Sequence, residues 1–344
     1  MRRTLPCLSL MLLSAGLLSL ATPATAVAGT ELTVYTSRIE DLIKPLFDRY
    51  TAETGTAIRF ITDKEGPLLQ RLQAEGPSTP ADVLITVDAG NLWQAGKLKV
   101  LQPVESPILQ ANIPSHLRDP ENRWFGLSIR ARTIVYHTGR VKPAALSTYE
   151  ALATPAWSKR LCLRTSKKVY NQSLVAMMLA ELGAERTEQI VRGWVGNLAA
   201  APFASDNEVM DAIVAGRCDV GLVNTYYYGR MLREKPELPL KLFWPNQTDG
   251  KNQLGGVHVN VSGAGVTTHT RNRAAAVKFL EWLSAGEAQG LFAGLDLEFP
   301  ANPAVAPDPI TAKWGPFRQD GINLAEAGKG QADAVRLMDR VGYR

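Results

Sequence analysis

Three consecutive tyrosines lie in Asn224-Thr225-Tyr226-Tyr227-Tyr228-Gly229, where a short apolar run gives way to a helical pattern. A fourth, Tyr170, follows another strand-like run in Lys167-Lys168-Val169-Tyr170-Asn171. A free phenol has a pKa of about 10, so it ionises near neutrality only beside strong positive charge. A bound metal supplies that charge, and a helix N-terminus adds a smaller push the same way. Phenolate is a hard oxygen donor and favours a small, highly charged cation. Three phenolates would neutralise Fe(III) and leave a divalent ion with an uncompensated negative charge. The same residues also read as interface or rim aromatics, and Tyr170 alone reads as a packed tyrosine. Spacing does not choose between these readings.

Competing chemistry finds little support. There is no Gly-x-Ser-x-Gly, no His-Glu-x-x-His and no phosphate loop. The four histidines, His116, His137, His258 and His269, show no ligand spacing. The chain is therefore not expected to be an enzyme. Cys162 and Cys218 each sit in a strand-like run, Arg160–Arg164 and Cys218–Leu222. A disulfide between them would pin two adjacent strands, and two buried thiols are the alternative.

The elements that must carry the tyrosines follow an α/β rhythm. Leu32–Tyr35, Ala57–Ile61 and Val83–Thr86 read as strands. Between them, Ile39, Leu42, Ile43, Leu46, Phe47 and Tyr50, then Leu68, Leu69 and Leu72, fall at helical spacing. Such alternation implies a parallel sheet with right-handed crossovers and ligands at the carboxyl ends of its strands. A second α/β unit begins at Arg160–Arg164. It continues through helices over about 172–182 and 187–198, and a helix capped at Ser205 or Asp206. It then runs into the strand Asp219–Asn224 and a helix entered at Thr225-Tyr226. Trp124–Tyr136 and Val257–Val266 are long enough to cross between two lobes. Helices are predicted over Ala274–Ser284 and Ala332–Val341, and Pro300–Pro309 reads as a surface connection.

Arg2-Arg3, an apolar stretch from Leu8 to Leu20, and the small residues near Ala26 and Ala28 have the pattern of a secretory signal over 1–28. The stretch is shorter than the roughly 20 residues a membrane span needs. Lys+Arg is 38 and Asp+Glu is 33; without Arg2 and Arg3 the balance is 36 against 33. So small an excess, with no basic run longer than Lys167-Lys168, does not indicate nucleic acid. An exported, monomeric protein that does not span the membrane is expected, most simply in a periplasm. Two α/β lobes joined by two crossings suggest a hinged binding protein whose closure buries a ligand.

These residues resemble those of a known family, the periplasmic ferric iron-binding proteins of ABC importers, in particular the tyrosine-rich class. The resemblance runs through Val34-Tyr35-Thr36-Ser37-Arg38, Pro80–Asp88, Trp124-Phe125-Gly126-Leu127 and Arg130-Ala131-Arg132. It is strongest at Ser166–Asn171 and Asn224–Gly229. It implies a two-lobed, type II-like periplasmic binding fold with Tyr170, Tyr226 and Tyr227 as metal ligands and Tyr228 outside the ligand set. Some members carry a His-Tyr pair after the arginine matching Arg38, where this chain has Ile39 and Glu40. Ile39 cannot ligate and also fits the apolar stripe of the first helix; Glu40 is expected to be solvated or to cap that helix. The resemblance thus points to the subset with three tyrosine ligands, whose open positions water or a bidentate anion such as carbonate would fill. Arg38 and Arg130 are candidates to cradle that anion or to stand behind the ligands, with structural salt bridges as the alternative. Asp63 and Asp88 lie at strand ends, where helix capping explains them as well.

The expected architecture is a signal over 1–28, an N-terminal lobe of 29–128 plus 259–300, and a C-terminal lobe of 129–258 plus 301–344. The expected function is capture of Fe(III) and delivery to an inner-membrane ABC permease with its ATPase. The same fold holding a small organic ion, a polyamine or phosphonate, is the first rival. A secreted hydrolase is the second.

Overall fold

The computed structural model describes residues 31–344. The proposed signal at 1–28 lies outside the described residues. The first unit contains β1 (Glu31–Thr36), α1 (Glu40–Thr54), β2 (Ala57–Thr62), α2 (Glu65–Glu75), β3 (Val83–Val87), α3 (Ala89–Lys97) and α4 (Pro107–Asn112). Strand β4 (Phe125–His137) then leads to β5 (Leu161–Cys162), α5 (Val169–Gly196), α6 (Asp206–Val214), β6 (Val220–Asn224), α7 (Thr225–Glu234) and β7 (Leu240–Phe243). The chain returns through β8 (Val259–Val266), α8 (Arg273–Leu283), α9 (Gly286–Gly294) and β9 (Phe299–Pro300). It ends with α10 (Pro309–Ala312) and α11 (Ala325–Arg340).

The strand order is β2-β1-β3-β8-β4-β6-β5, with β7 and β9 also on β4. β1 pairs in parallel with β2 and β3, as the alternating pattern requires, whereas β8 lies antiparallel to both β3 and β4. Strand β4 is shared. Its first half, Phe125 to Ala131, pairs with β8, and Arg132 to His137 pair with β6 and β7. Two bodies of core flank this change of partner. One gathers Leu32, Val34, Ile43, Phe47, Leu68, Val83, Phe125, Val261 and Phe279. The other gathers Ile134, Leu174, Trp194, Leu222 and Leu337, with an adjoining cluster around Val135, Cys162, Val209 and Tyr228. β4 thus spans the two halves, while β8 packs with the first.

Four local readings are corrected. Ile39 does not join the apolar stripe of α1. It is the extended residue before the helix, with φ −64° and ψ 148°, and is 62% exposed. The helix begins one residue too late to turn Ile39 inward. Helix α5 begins at Val169, so Tyr170 sits in its first turn, and the two expected helices meet at a break at Gly183. Helix α11 begins at Ala325, seven residues before the periodicity suggests. Its first turns are Ala-Glu-Ala-Gly-Lys-Gly, where Gly328 and Gly330 weaken the helix and interrupt the apolar pattern. Packing on α3 and α5 holds them, and a Cβ at Gly328 would lie 2.6 Å from Trp93. Pro300–Pro309 is not wholly a surface connection, because Pro300 closes β9 while Ala301 and Asn302 are buried. The Asn302 amide donates to the Ser284 carbonyl at 2.9 Å.

Cys162 and Cys218 are joined in a disulfide with Cα atoms 5.9 Å apart. It ties β5 to the segment entering its parallel neighbour β6. Among the described residues no helix is long and apolar enough to cross a membrane.

Candidate metal centre

Strand β6 delivers its carboxyl end straight into α7, because Asn224 is both the last strand residue and the extended residue before the helix. Tyr226 and Tyr227 therefore lie in the first turn of α7. Tyr170 lies in the first turn of α5, and the two helix N-termini converge. The Tyr226 hydroxyl donates to the Tyr170 hydroxyl at 2.9 Å. The Tyr226 and Tyr227 rings are 4.4 Å apart, tilted by 33°. Tyr228 diverges. Its hydroxyl donates to the Leu240 carbonyl at 3.2 Å, and its ring packs edge-on to Trp314. One helical turn thus divides three neighbouring phenols between a polar cluster and the core.

Cations surround the three phenols without ion-pairing to them. The Arg164 guanidinium lies 5.4 Å from the Tyr170 ring and 5.8 Å from the Tyr227 ring. Arg130 is 6.0 Å and Arg230 5.2 Å from the Tyr226 ring, and the Lys168 ammonium is 4.9 Å from the Tyr170 ring. Arg164 also donates to the Tyr227 hydroxyl at 3.5 Å. Behind them Asp206 is completely buried. It accepts from the Asn224 backbone N–H at 2.8 Å and lies 3.3 Å from Arg132 and 3.6 Å from Arg164. One Asp206 oxygen, Oδ1, has no hydrogen-bond donor.

The phenols differ in acidity. Burial pushes Tyr226 well above the usual phenol value. Negative charge on Tyr170 or Tyr227 pushes it further, while Arg130 opposes. Burial raises Tyr170 to about 12, again against the pull of Arg130. Burial also acts on Tyr227, but the Arg164 hydrogen bond and charge outweigh it and bring Tyr227 below the usual value. At neutral pH the cluster is thus a set of largely neutral acids.

Arg38 and Arg130 are both buried and both face Glu298. Arg38 Nη1 donates to Ser262 Oγ at 2.7 Å and to Glu298 at 3.2 Å, and its guanidinium lies 4.6 Å from the Phe292 ring. Arg130 lies 3.6 Å from Glu298 and donates to Ser262 Oγ; Ser128 donates to Glu298. Both arginines therefore make structural ion pairs. Arg130 also faces Tyr226, and the Nε atoms of Arg38 and Arg130 have no hydrogen-bond partner.

Glu40 is exposed in the first turn of α1. Asp88 caps α3, accepting from the Gly90 N–H at 2.8 Å, and Asp63 accepts from the Lys64 N–H at 2.7 Å. His258 is buried against Ser173, and burial drives its pKa down to about 3. Among the described residues no group of three His, Cys, Asp or Glu side chains could hold a metal. A surface cavity of about 500 Å³ lies against α7, lined by Tyr228, Leu232, Arg233, Lys241 and Trp314, and by none of the three clustered phenols.

Sequence reasoning missed Arg164, Asp206, Arg230, Asp296 and Glu298. Arg164 ends the strand-like run 160–164, so the rule placing sites at strand ends could have found it. Asp206 reads as a helix cap, and Asp296 and Glu298 lie in a stretch with no motif.

The chain belongs to a family of bacterial extracellular solute-binding proteins, whose profile matches residues 45–318. Its fold is the two-lobed α/β fold of periplasmic solute-binding proteins. Iron uptake protein A1 of Synechocystis is 40% identical over 320 residues, covering 91% of this chain and 88% of that protein. The structure of Trichodesmium FutA in complex with iron and citrate superposes with a TM-score of 0.87. It is 40% identical and covers 91% of this chain and 100% of the other. An open conformation of ferric iron-binding protein A from Mannheimia haemolytica gives a TM-score of 0.85. It is 36% identical and covers 92% and 99% of the two chains. The expected resemblance to ferric iron-binding proteins is borne out, and these relatives are binding proteins rather than enzymes.

Proposed function

We propose that this protein captures Fe(III) in the periplasm through Tyr170, Tyr226 and Tyr227 and delivers it to an inner-membrane ABC permease with its ATPase. The observation that carries this reading is the convergence of the three phenols at two helix N-termini, with Tyr170 and Tyr226 hydroxyls 2.9 Å apart. The iron-binding relatives support the choice of metal, and the solute-binding family supports the importer partner. The ion sits between a lobe of 29–128 plus 259–300 and a lobe of 129–258 plus 301–344. Export is directed by the signal at 1–28.

Chemically, a trivalent ion replaces the phenol protons. Each ligated phenol that was neutral releases one, so binding strengthens as pH rises. Pre-set donors at helix N-termini favour the resulting anions. Three tyrosinates leave coordination positions for water or an anion such as carbonate. Arg130, already beside Tyr226, contributes positive charge on that side, and Arg38 stands behind it through Glu298. Lobe closure then excludes water that would hydrolyse the metal.

The test is a titration of metal-free protein with chelated Fe(III), followed by visible absorbance, with carbonate present at neutral pH. Tyrosinate–Fe(III) charge transfer is coloured, so a saturating one-to-one band is expected. It should vanish in the Tyr226→Phe/Tyr227→Phe variant. Absence of a band in the wild type overturns the reading. A pH-stat measurement should find about three protons released per ion bound, and none released would also count against tyrosinate ligation.

A further inference from the structure

The segment Asp296-Leu297-Glu298, between α9 and β9, joins the two halves through three consecutive side chains. It is anchored on the first half. Leu295 packs against that core, Phe299 is part of it, and Phe299 pairs with Ile129 of β4. Glu298 turns toward Arg38 of the same half and Arg130 of the shared strand β4. Asp296 turns the other way. Its carboxylate lies 3.8 Å from Arg38 and accepts from Arg230, which is on α7, one turn beyond Tyr226. The Asp296 side chain is only 9% exposed, so this pair is shielded on its acidic side.

Leu297, between the two carboxylates, is fully buried with φ +56°, a left-handed conformation that a leucine rarely adopts. Burial against α7 accompanies it. A Cβ at Gly229 would lie 2.6 Å from Leu297 Cδ1 and 3.0 Å from the Trp314 ring. Gly229 thus lets α7 approach this segment closely, three residues after Tyr226. The same approach places the Arg230 guanidinium 5.2 Å from the Tyr226 ring.

We propose that Asp296-Leu297-Glu298 is a staple between the lobes. In it Asp296 is a positioning residue that holds α7, and with it Tyr226 and Tyr227, against the first half. One carboxylate shared by Arg38 and Arg230 ties the halves by charge, and Leu297 seated on Gly229 ties them by packing. When the Asp296 charge is removed, Arg38 keeps Glu298 but Arg230 loses its carboxylate, and the tie to α7 is the one that breaks. The proposal rests on the iron reading for its functional consequence, because a looser α7 means faster loss of the ion.

Purified Asp296→Asn, Asp296→Glu and Gly229→Ala proteins would be compared with wild type in two measurements. The first is small-angle scattering of the metal-free proteins. Asp296→Asn and Gly229→Ala should have a larger radius of gyration than wild type, and Asp296→Glu should not. The second is transfer of Fe(III) from the loaded proteins to excess EDTA, followed as loss of the visible band. Asp296→Asn should keep the one-to-one stoichiometry but release about tenfold faster, with Asp296→Glu within about twofold of wild type. Gly229→Ala should also release faster, and it carries the test alone if Asp296→Asn does not fold. Wild-type scattering and release in Asp296→Asn, or in Gly229→Ala where only that variant folds, overturn the staple. A wild-type protein that shows no band overturns the iron reading instead, and the scattering comparison still judges the staple.

Discussion

Two buried polar clusters lie close together in this molecule, and they handle charge in opposite ways. Around Glu298, the guanidiniums of Arg38 and Arg130 meet the carboxylate at 3.2 and 3.6 Å, and the Asp296 carboxylate lies 3.8 Å from Arg38, so two cations face two anions and the charge largely cancels. Around Tyr170, Tyr226 and Tyr227, the acidic groups keep their protons, and the cations stand 4.9 to 6.0 Å from ring centres. Burial makes an uncompensated charge expensive. The first cluster meets that requirement with its own residues. The second meets it by staying neutral, which is the state from which the proposed exchange of protons for a metal cation would start. Self-neutralisation fits a structural role, and neutral acids surrounded by cations fit the proposed metal site.

The largest predicted effects separate the two clusters in opposite directions. Tyr226→Phe/Tyr227→Phe should abolish the ferric band while leaving the metal-free protein within about 1 kcal/mol of wild type, since one neutral hydroxyl contact is the main loss. Glu298→Gln should do the reverse. It leaves two buried guanidiniums facing a neutral amide and should cost about 3–5 kcal/mol in denaturant unfolding, while the band still forms. If both variants lost iron and stability together, the distinction between the clusters would fail.

A smaller effect concerns alkaline pH. In the folded metal-free protein burial raises Tyr170 to about 12 and Tyr226 further, whereas unfolded phenols ionise at about 10. The folded state therefore binds protons more tightly. Its stability is fully present below about pH 10 and is lost as pH rises from there through the folded values. The expected loss is on the order of 2 kcal/mol from Tyr170 alone. Denaturant midpoints at pH 8 to 12 measure it, and Tyr170→Phe should show a shallower decline than wild type. A slope unchanged by the substitution would mean that other buried phenols, Tyr149 and Tyr343, account for it.

The smallest effect sharpens the boundary of the metal cluster. Tyr228→Phe removes one hydrogen bond to the Leu240 carbonyl and should cost about 1 kcal/mol of stability. The ferric band should be unaltered in position and stoichiometry. A shifted band would place Tyr228 among the ligands.

Much of this arrangement was legible in the chain. Alternating apolar runs of period two and 3.6 located β1, α1, β2, α2 and β3. The end of an apolar run at Asn224 located the entry to α7. The two tyrosine motifs stood out because phenols at strand-to-helix junctions are an unusual placement for chemistry. Less legible were features that depend on a partner distant in sequence. Ile39 satisfied the helical spacing yet lies outside the helix, because periodicity does not register where the first turn closes. Residues 325–331 concealed their helix because Gly328 and Gly330 interrupt it, a cost that packing on α3 and α5 offsets.

What the sequence determined by itself was therefore the local vocabulary: the order of strands and helices, the supply of phenols, and the cysteines available for a bridge. The tertiary structure decided which groups act together. Tyr170 and Tyr226 are 56 residues apart in the chain, and their hydroxyls meet only because α5 and α7 begin at neighbouring strand ends. Arg38 and Glu298 are 260 residues apart, and their pairing places Arg38 in a buried, ion-paired cluster. Local propensity is set by a residue and its near neighbours. The energy of a buried charge is set by whatever the fold brings within a few ångströms, and no spacing rule along the chain encodes that.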